Sequence, residues 1–358
     1  MPGLGLNWLI VNTGSSSVKW RVYSGKDILI DRNEWSVSSR ESVNRIVKTC
    51  VEMKCNIQKI VHRVVHGGRF ESPKKLDAKL VKQLKQKEEL APLHQARAIE
   101  IIELLEKSFP EAKQYVCFDS SFHLTMSEVS KVYAIPSDYR NRFGIERTGF
   151  HGIAHQALYN ELCSLKGVRK IGKVVSCQLG NGVSLCAIKG GKSVDTTMGL
   201  TPLEGCVMGT RSGSIDPAIV SFLSKKLGKS ASEIVEILES KSGLYGLCGE
   251  RDMRNILLRV NGGDKKAKLA LDVFVHSFKK HLGQMIVALG GVDAIVLGGG
   301  ISNSDLMRKK LFEGLEELGI EIDTKKVGGN APVKISSGKI EIWVLEGDEI
   351  REMKAVVD

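Results

Sequence analysis

Apolar residues recur along the chain in two rhythms, short runs of strand length and longer stretches with a period of three to four. Trp8 to Asn12 is an apolar run that enters Gly14-Ser15-Ser16-Ser17, and the alternating segment Val18 to Tyr23 leads out. A strand, a small-residue turn and a second strand are predicted. The layout returns at Val174 to Ile188, where VVSCQLGNGVSLCAI reads as strand, turn and strand. Two such units half a chain apart predict duplicated lobes. Helical periods occupy 77–107 and 150–165, with a strand from Tyr115 to Asp119 that stops at an acid. Further helical patterns cover 216–227, 231–239 and Lys265 to Leu289. The run Asp293-Ala-Ile-Val-Leu reads as a buried strand ending in Gly298-Gly-Gly, with a helix predicted from Ser304 to Leu318. This mixed order predicts an α/β protein with ligands at the C-terminal ends of strands.

Composition narrows the picture. A chain of 358 residues is long enough for two domains or lobes, and 42% hydrophobic with 26% charged residues excludes a disordered or fibrous chain. The 37 glycines follow no collagen period, so they mark tight turns and backbone held close to ligands. The net charge of +11 invites a nucleic-acid reading, but the basic residues are scattered. The densest stretch, Lys74 to Lys87, interleaves Leu76, Leu80, Val81 and Leu84 and reads as the solvated face of an amphipathic helix. What survives is a field that attracts small anions. Eight cysteines show no CxxC, and Cys117, Cys177 and Cys186 sit in apolar runs as buried reduced thiols, which fits a cytoplasmic protein. The N-terminus lacks a basic region before its apolar residues, so no signal peptide is expected. Five glycines and Asp293 break the window Met285 to Ile301, so no membrane span is expected either.

Three glycine turns follow apolar strands, at Gly14, at Gly180-Asn181-Gly182 and at Gly298 to Gly300, and none is a Walker or Rossmann loop. Each is an ordinary hairpin or an anion nest, the latter with Ser15, Ser17 and Lys19 as side-chain donors at the first. Arg63, in His62-Arg-Val-Val-His66-Gly-Gly, is a carboxylate or phosphate clamp or else a surface arginine on an edge strand. Arg211 lies in a polar glycine-flanked loop, Met208 to Gly213. With Asp119 the two arginines compose a phosphoryl-transfer set, a chemistry governed by electrostatic positioning. His151 stands between Gly149-Phe150 and Gly152, close to a substrate or in the core. His276 and His281 read as structural, and Asp252 as a nucleotide contact or a helix cap.

Taken together these motifs resemble the acetate kinase family of the acetate and sugar kinase and actin superfamily. The resemblance is carried by VNTGSSSVKW (11–20), HRVVHGG (62–68), LAPLH (90–94), FDSSFH (118–123), GFHGIAH (149–155), LGNGVS (179–184), DTTMGLTPLEGCVMGTRSGSIDP (195–217) and LEGDE (345–349). It implies two duplicated ribonuclease H-like, actin-like ATPase lobes with an active-site cleft between them. The N-terminal lobe would be 1–148, rejoined by 350–358, and the nucleotide-binding lobe 149–349. The implied reaction is reversible, direct in-line transfer of the ATP γ-phosphoryl to acetate, with Mg2+ or alternatively Mn2+. ADP, acetyl phosphate and a homodimer complete the expectation, with neither nucleic acid nor membrane as partner.

Residue by residue, the resemblance puts Asn12 with Asp348 or Glu349 at the metal, and Asp119, His151, Arg211 and Arg63 at the transferring group. Val65, Leu93, His94, Phe150 and Pro202 would line the acyl site, where a valine at 65 favours acetate over propionate. Ser15, Ser17, Lys19, Gln178, Leu179, Gly180, Asn181, Gly182 and Ser184 would meet phosphates. Asp252, Met253, Arg254, Gly300, Ile301, Ser302 and Asn303 would hold the nucleoside. The chain departs from the family pattern at Gln178 for histidine, Ala154 for serine, Gln95-Ala96 for Asn-Pro, and in the shortened segment 300–303. The competing readings are a kinase for another short carboxylate, one using pyrophosphate, and a non-catalytic nucleotide switch of the same superfamily.

Overall fold

In a computed structural model, which describes residues 6–14, 17–88 and 92–358 and only the backbone of 92–94, the chain forms two compact units. The first takes in residues up to 124, 150–157 and 348–358; the second takes in 125–149 and 158–347. Hydrogen bonds of ordinary length tie the segments around residue 150 to their units. His123 and Asp119 hold the main chain of Phe150 and Gly152 in the first unit, while Thr148 and Gly149 both donate to Gly199 O in the second.

The first unit is built on β1 (Asn7–Thr13), β2 (Ser17–Ser24), β3 (Asp27–Trp35), β4 (Ile57–Val64), β5 (Lys74–Lys75) and β6 (Lys113–Phe118), in the order β3-β2-β1-β4-β6-β5. β1, β4 and β6 run parallel, and β2, β3 and β5 are antiparallel to their neighbours. Because successive side chains on a strand point to opposite faces, β1 serves two cores. Leu9 and Val11 pack with Trp20, Val22, Ile46 of the helix Ser39–Glu52 and Ile101 of the helix Pro92–Ser108. Trp8 and Ile10 pack with Ile153 and with Ile350 and Met353 of the helix Glu349–Val357.

The second unit contains β7 (Lys173–Leu179), β8 (Val183–Lys189), β9 (Lys192–Thr196), β10 (Ala294–Gly298), β11 (Val333–Lys334) and β12 (Glu341–Val344), in the order β11-β12-β10-β7-β8-β9. Exchange β1, β2, β3, β4, β5 and β6 for β7 to β12 in turn, and both the order and every pairing sense coincide. The duplication read from two strand pairs thus extends to all twelve strands among the described residues. The long helix Lys265–Leu289 buries Leu271, Phe274, Phe278, Leu282, Met285 and Leu289 at helical spacing, as its sequence predicts.

Other predicted elements are shorter. The period at 77–107 becomes two helices, Ala78–Lys85 and Pro92–Ser108, and Lys74 and Lys75 belong to β5. Leu80 and Leu84 are buried while Lys79, Lys82 and Lys85 face solvent, so the basic stretch is a solvated surface. The helix expected over 304–318 is Asp305–Phe312 followed by a single turn, Glu316–Leu318, because the chain passes through Gly314 at φ +76°. Among the described residues no helix is long and apolar enough to cross a membrane.

Candidate active site

In the first unit four predicted residues form one network. Arg63 projects from β4, which pairs with β1 on one side and β6 on the other, so the edge-strand reading of this arginine is overturned. Asp119 directly follows β6 and continues its ladder by donating its N–H to Val64 O. Arg63 Nε donates to Asp119 Oδ1 at 2.9 Å and Nη2 to Oδ2 at 2.6 Å, a two-pronged fork on one carboxylate. Nη1 donates to Asn12 Oδ1 at 2.9 Å, and Asn12 Nδ2 donates to Glu349 Oε2 at 2.8 Å. Burial disfavours the Arg63 cation, but the charges of Asp119 and Glu349 outweigh it and raise the pKa above its ordinary value. Asp348 turns elsewhere, capping the helix Glu349–Val357 and pairing with Arg21 at 2.6 Å. Of the two acids, Glu349 is therefore the one that joins Asn12.

His151 follows in the same unit with φ +57°, a left-handed conformation that is uncommon outside glycine. Its neighbour Gly152 donates to Asp119 O at 2.9 Å, and any Cβ at 152 would run into that carbonyl oxygen and Phe122. Glycine is what lets His151 and Asp119 share this corner. Val65 and Phe150 are buried, and the Phe150 ring lies 5.5 Å from that of His66. The side chains of Leu93 and His94, and Ser15 altogether, lie outside the described residues. Ser17 is partly buried and Lys19 exposed on β2.

The second unit holds the other arginine. Arg211 is partly buried and donates to Pro202 O at 2.8 Å; among the described residues it forms no ion pair. Burial pulls its guanidinium down to about 10, only partly opposed by Glu239. Its loop is fixed by main-chain bonds from Ser242, Leu244 and Tyr245 to Thr210, Met208 and Gly209. Gly243, at φ +60°, permits that seating, since a Cβ there would strike the carbonyls of Met208 and Arg211. The Gly180-Asn181-Gly182 turn touches the same loop, Gly209 donating to Asn181 O at 3.1 Å. Gln178 and Gly182 are partly exposed and Asn181 exposed, whereas Leu179 and Ser184 are buried in β7 and β8.

Asp252 caps the helix Met253–Asn261 by accepting from Arg254 N, and it also pairs with the exposed Arg254 side chain at 2.6 Å. Met253 is buried. Gly300, Ile301, Ser302 and Asn303 form a turn after β10 in which Ser302 is buried and donates to Gly299 O, leaving Gly300 and Asn303 exposed.

Several organising residues escaped the sequence reading. Arg97 donates to Gly14 O at 3.3 Å and Val37 O at 2.6 Å, tying the residue after β1 to the segment after β3. Arg147 donates to the carbonyls of Thr196, Thr197 and Met198 and pairs with Glu204, which also accepts from Tyr133. Arg308, almost wholly buried, donates to Ser302 O and Val327 O and fastens the 300–303 turn. Tyr133, Arg147, Glu204, Ser277 and His281 also line a cavity of about 620 Å³ in the second unit. None of these bonds has a local sequence signature; each joins residues whose partners only folding reveals.

The repeated sheet order, with polar residues at strand ends and glycine turns, is that of the two-lobed, actin-like, ribonuclease H-type fold shared with solved acetate and propionate kinases. A profile of the Acetokinase family matches residues 29–353, and the chain belongs to that family. It is 40% identical over 314 residues to a protein of Bacillus mycoides named acetate kinase, covering 86% of this chain and 78% of that one. Among solved structures, a propionate kinase from Francisella tularensis superposes with a TM-score of 0.90 at 34% identity, covering 98% of both chains. The acetate kinase of Porphyromonas gingivalis gives 0.87 at 30%, again over 98% of both.

Proposed function

We propose that the chain moves the γ-phosphoryl of ATP reversibly onto acetate, giving acetyl phosphate and ADP. The observation that carries this reading, in a member of the Acetokinase family, is the Asn12–Arg63–Asp119–Glu349 network. An acetate oxygen attacks the γ-phosphorus as the bond to the ADP oxygen breaks. The acceptor is already an anion, so no proton has to be removed. Asp119, with both oxygens engaged by Arg63, then serves to orient rather than to act as a base. Arg63 and Arg211 hold anionic oxygens, and His151 donates to the equatorial oxygens of the transferring group. Arg211 is suited to this because it lies partly buried without a carboxylate partner among the described residues.

For the magnesium ion, Asn12, Asp119 and Glu349 offer oxygen donors, and Glu349 is the better candidate of the two C-terminal acids. Among the described residues no three His, Cys, Asp or Glu side chains form a self-sufficient metal cluster. That fits an ion bound by one or two carboxylates plus substrate phosphates and water. When bound, it would neutralise charge on the phosphate oxygens. Eight cysteines without disulfides support a cytoplasmic location, and a homodimer belongs to the same reading.

Hydroxamate trapping of the acyl phosphate, with acetate, propionate and butyrate each offered with ATP or pyrophosphate, tests the proposal. Acetate with ATP should give the highest kcat/KM. One added methylene is worth about 1–3 kcal/mol, so propionate should be slower yet measurable. Higher kcat/KM with propionate would move the reading to the activity named for the Francisella relative; no hydroxamate from any acid would end it.

A further inference from the structure

His123 lies four residues after Asp119, on the short turn Ser121–Thr125, and is 1% exposed. Its Nε2 stands 3.0 Å from the carbonyl oxygen of Phe150. A carbonyl oxygen only accepts, so Nε2 carries the proton and donates. That carbonyl belongs to the peptide leading directly into His151, whose φ of +57° is strained for a residue other than glycine and persists only where the surroundings hold it.

Two bonds from one short segment hold it. Gly152 N–H donates to Asp119 O on the C-terminal side of His151, and His123 fixes the peptide on its N-terminal side. The direction of the His151 Cα–Cβ bond follows from these two flanking peptides. Around His123 the packing is aromatic: the rings of Phe122 and His155 lie 5.8 Å and 5.9 Å away, both edge-on. Burial, aided by His123 itself, keeps the His155 pKa well below its usual value.

We propose that His123 is a positioning residue for phosphoryl transfer, holding His151 through the Phe150 carbonyl in the left-handed conformation that aims its imidazole at the moving phosphoryl. The proposal rests on the role of His151 in the reading above. His123 itself touches neither substrate nor metal in this scheme; it acts on direction alone.

A double-mutant cycle read by the hydroxamate assay, with thermal unfolding followed in parallel, tests it. His151→Ala should lower kcat strongly. His123→Phe keeps a ring without the donor, and should lower kcat by about ten- to a hundredfold while KM for ATP and acetate stays within about twofold. His123→Gln, whose amide nitrogen reaches the Nε2 position, should recover most of the loss. In the His151→Ala background, His123→Phe should cost less than about twofold further, since nothing remains to be aimed. Should His123→Phe fail to fold, His123→Asn, whose amide stops short of the Phe150 carbonyl, takes its place in the same comparison. An unchanged kcat in the donor-less variant, or the same loss in both backgrounds, overturns the positioning role. Near-normal turnover in His151→Ala overturns the reading of His151 as well, and so tells the two failures apart.

Discussion

Arg63 is forked onto Asp119, whereas Arg211 meets a main-chain oxygen, and the two therefore answer substitution differently. Either change to alanine should reduce turnover by about 10²–10³. In Arg63→Ala the buried Asp119 loses its counter-ion, which costs about 3–5 kcal/mol of stability. Arg211→Ala removes a half-desolvated cation and one hydrogen bond, so stability should stay within about 1 kcal/mol. Urea denaturation beside the rate assay separates these outcomes. His62 supplies a pH signature: buried, and donating to Gln114 at 2.6 Å, it has a pKa drawn down to about 4 by burial. Its unfolded value is near 6.5, so the unfolded chain binds more protons between the two. Stability is thus full above about pH 6.5 and declines toward pH 4, by on the order of 3 kcal/mol for this group. Denaturation midpoints across that range should show the decline, flatter in His62→Gln. At this scale the sequence was informative where a residue's surroundings are local. Asp119 was legible because an apolar strand stops on it, and His151 because glycines flank it. The choice between Asp348 and Glu349 was not, because Arg21 and Asn12, which settle where each acid turns, lie more than 300 residues upstream.

Strands and long helices were legible wherever burial imposes a period, as in β1, β7 and the helix Lys265–Leu289. Elements with one thin buried stripe were missed. The helix Glu349–Val357 buries Ile350, Glu352 and Met353 and is otherwise charged or partly exposed, yet it delivers Glu349 to Asn12. Its hold on β1 is the side-chain cluster of Trp8, Ile10, Tyr23, Ile350 and Met353, with Lys354 5.0 Å from the Trp8 ring. Met353→Ala should cost about 2–5 kcal/mol and loosen the acid together with the helix. The expected sign is a larger loss of turnover at low magnesium than at saturating magnesium.

For the whole molecule, the +11 charge proves to be dispersed over solvated faces such as that of Ala78–Lys85, while the two arginines singled out are folded inward. Little affinity for duplex DNA is therefore expected at about 0.15 M salt. A gel-shift titration that found tight binding at that salt would contradict this. The doubled sheet order was visible in outline from two strand pairs, but the exchanged segments 125–149 and 150–157 were not. Their placement depends on which carbonyls they reach.

The bond between Asn12 and Glu349 spans 337 positions of sequence. A ribosome adding about 5–20 residues per second needs roughly 20–70 s to travel from one to the other. Arg63 and Asp119 are both made within about the first third of that interval, whereas the acid that Asn12 meets is made at its end. The bond from Asn12 can therefore form only after the strands of both sheets have been synthesised, so it is a late addition to the centre.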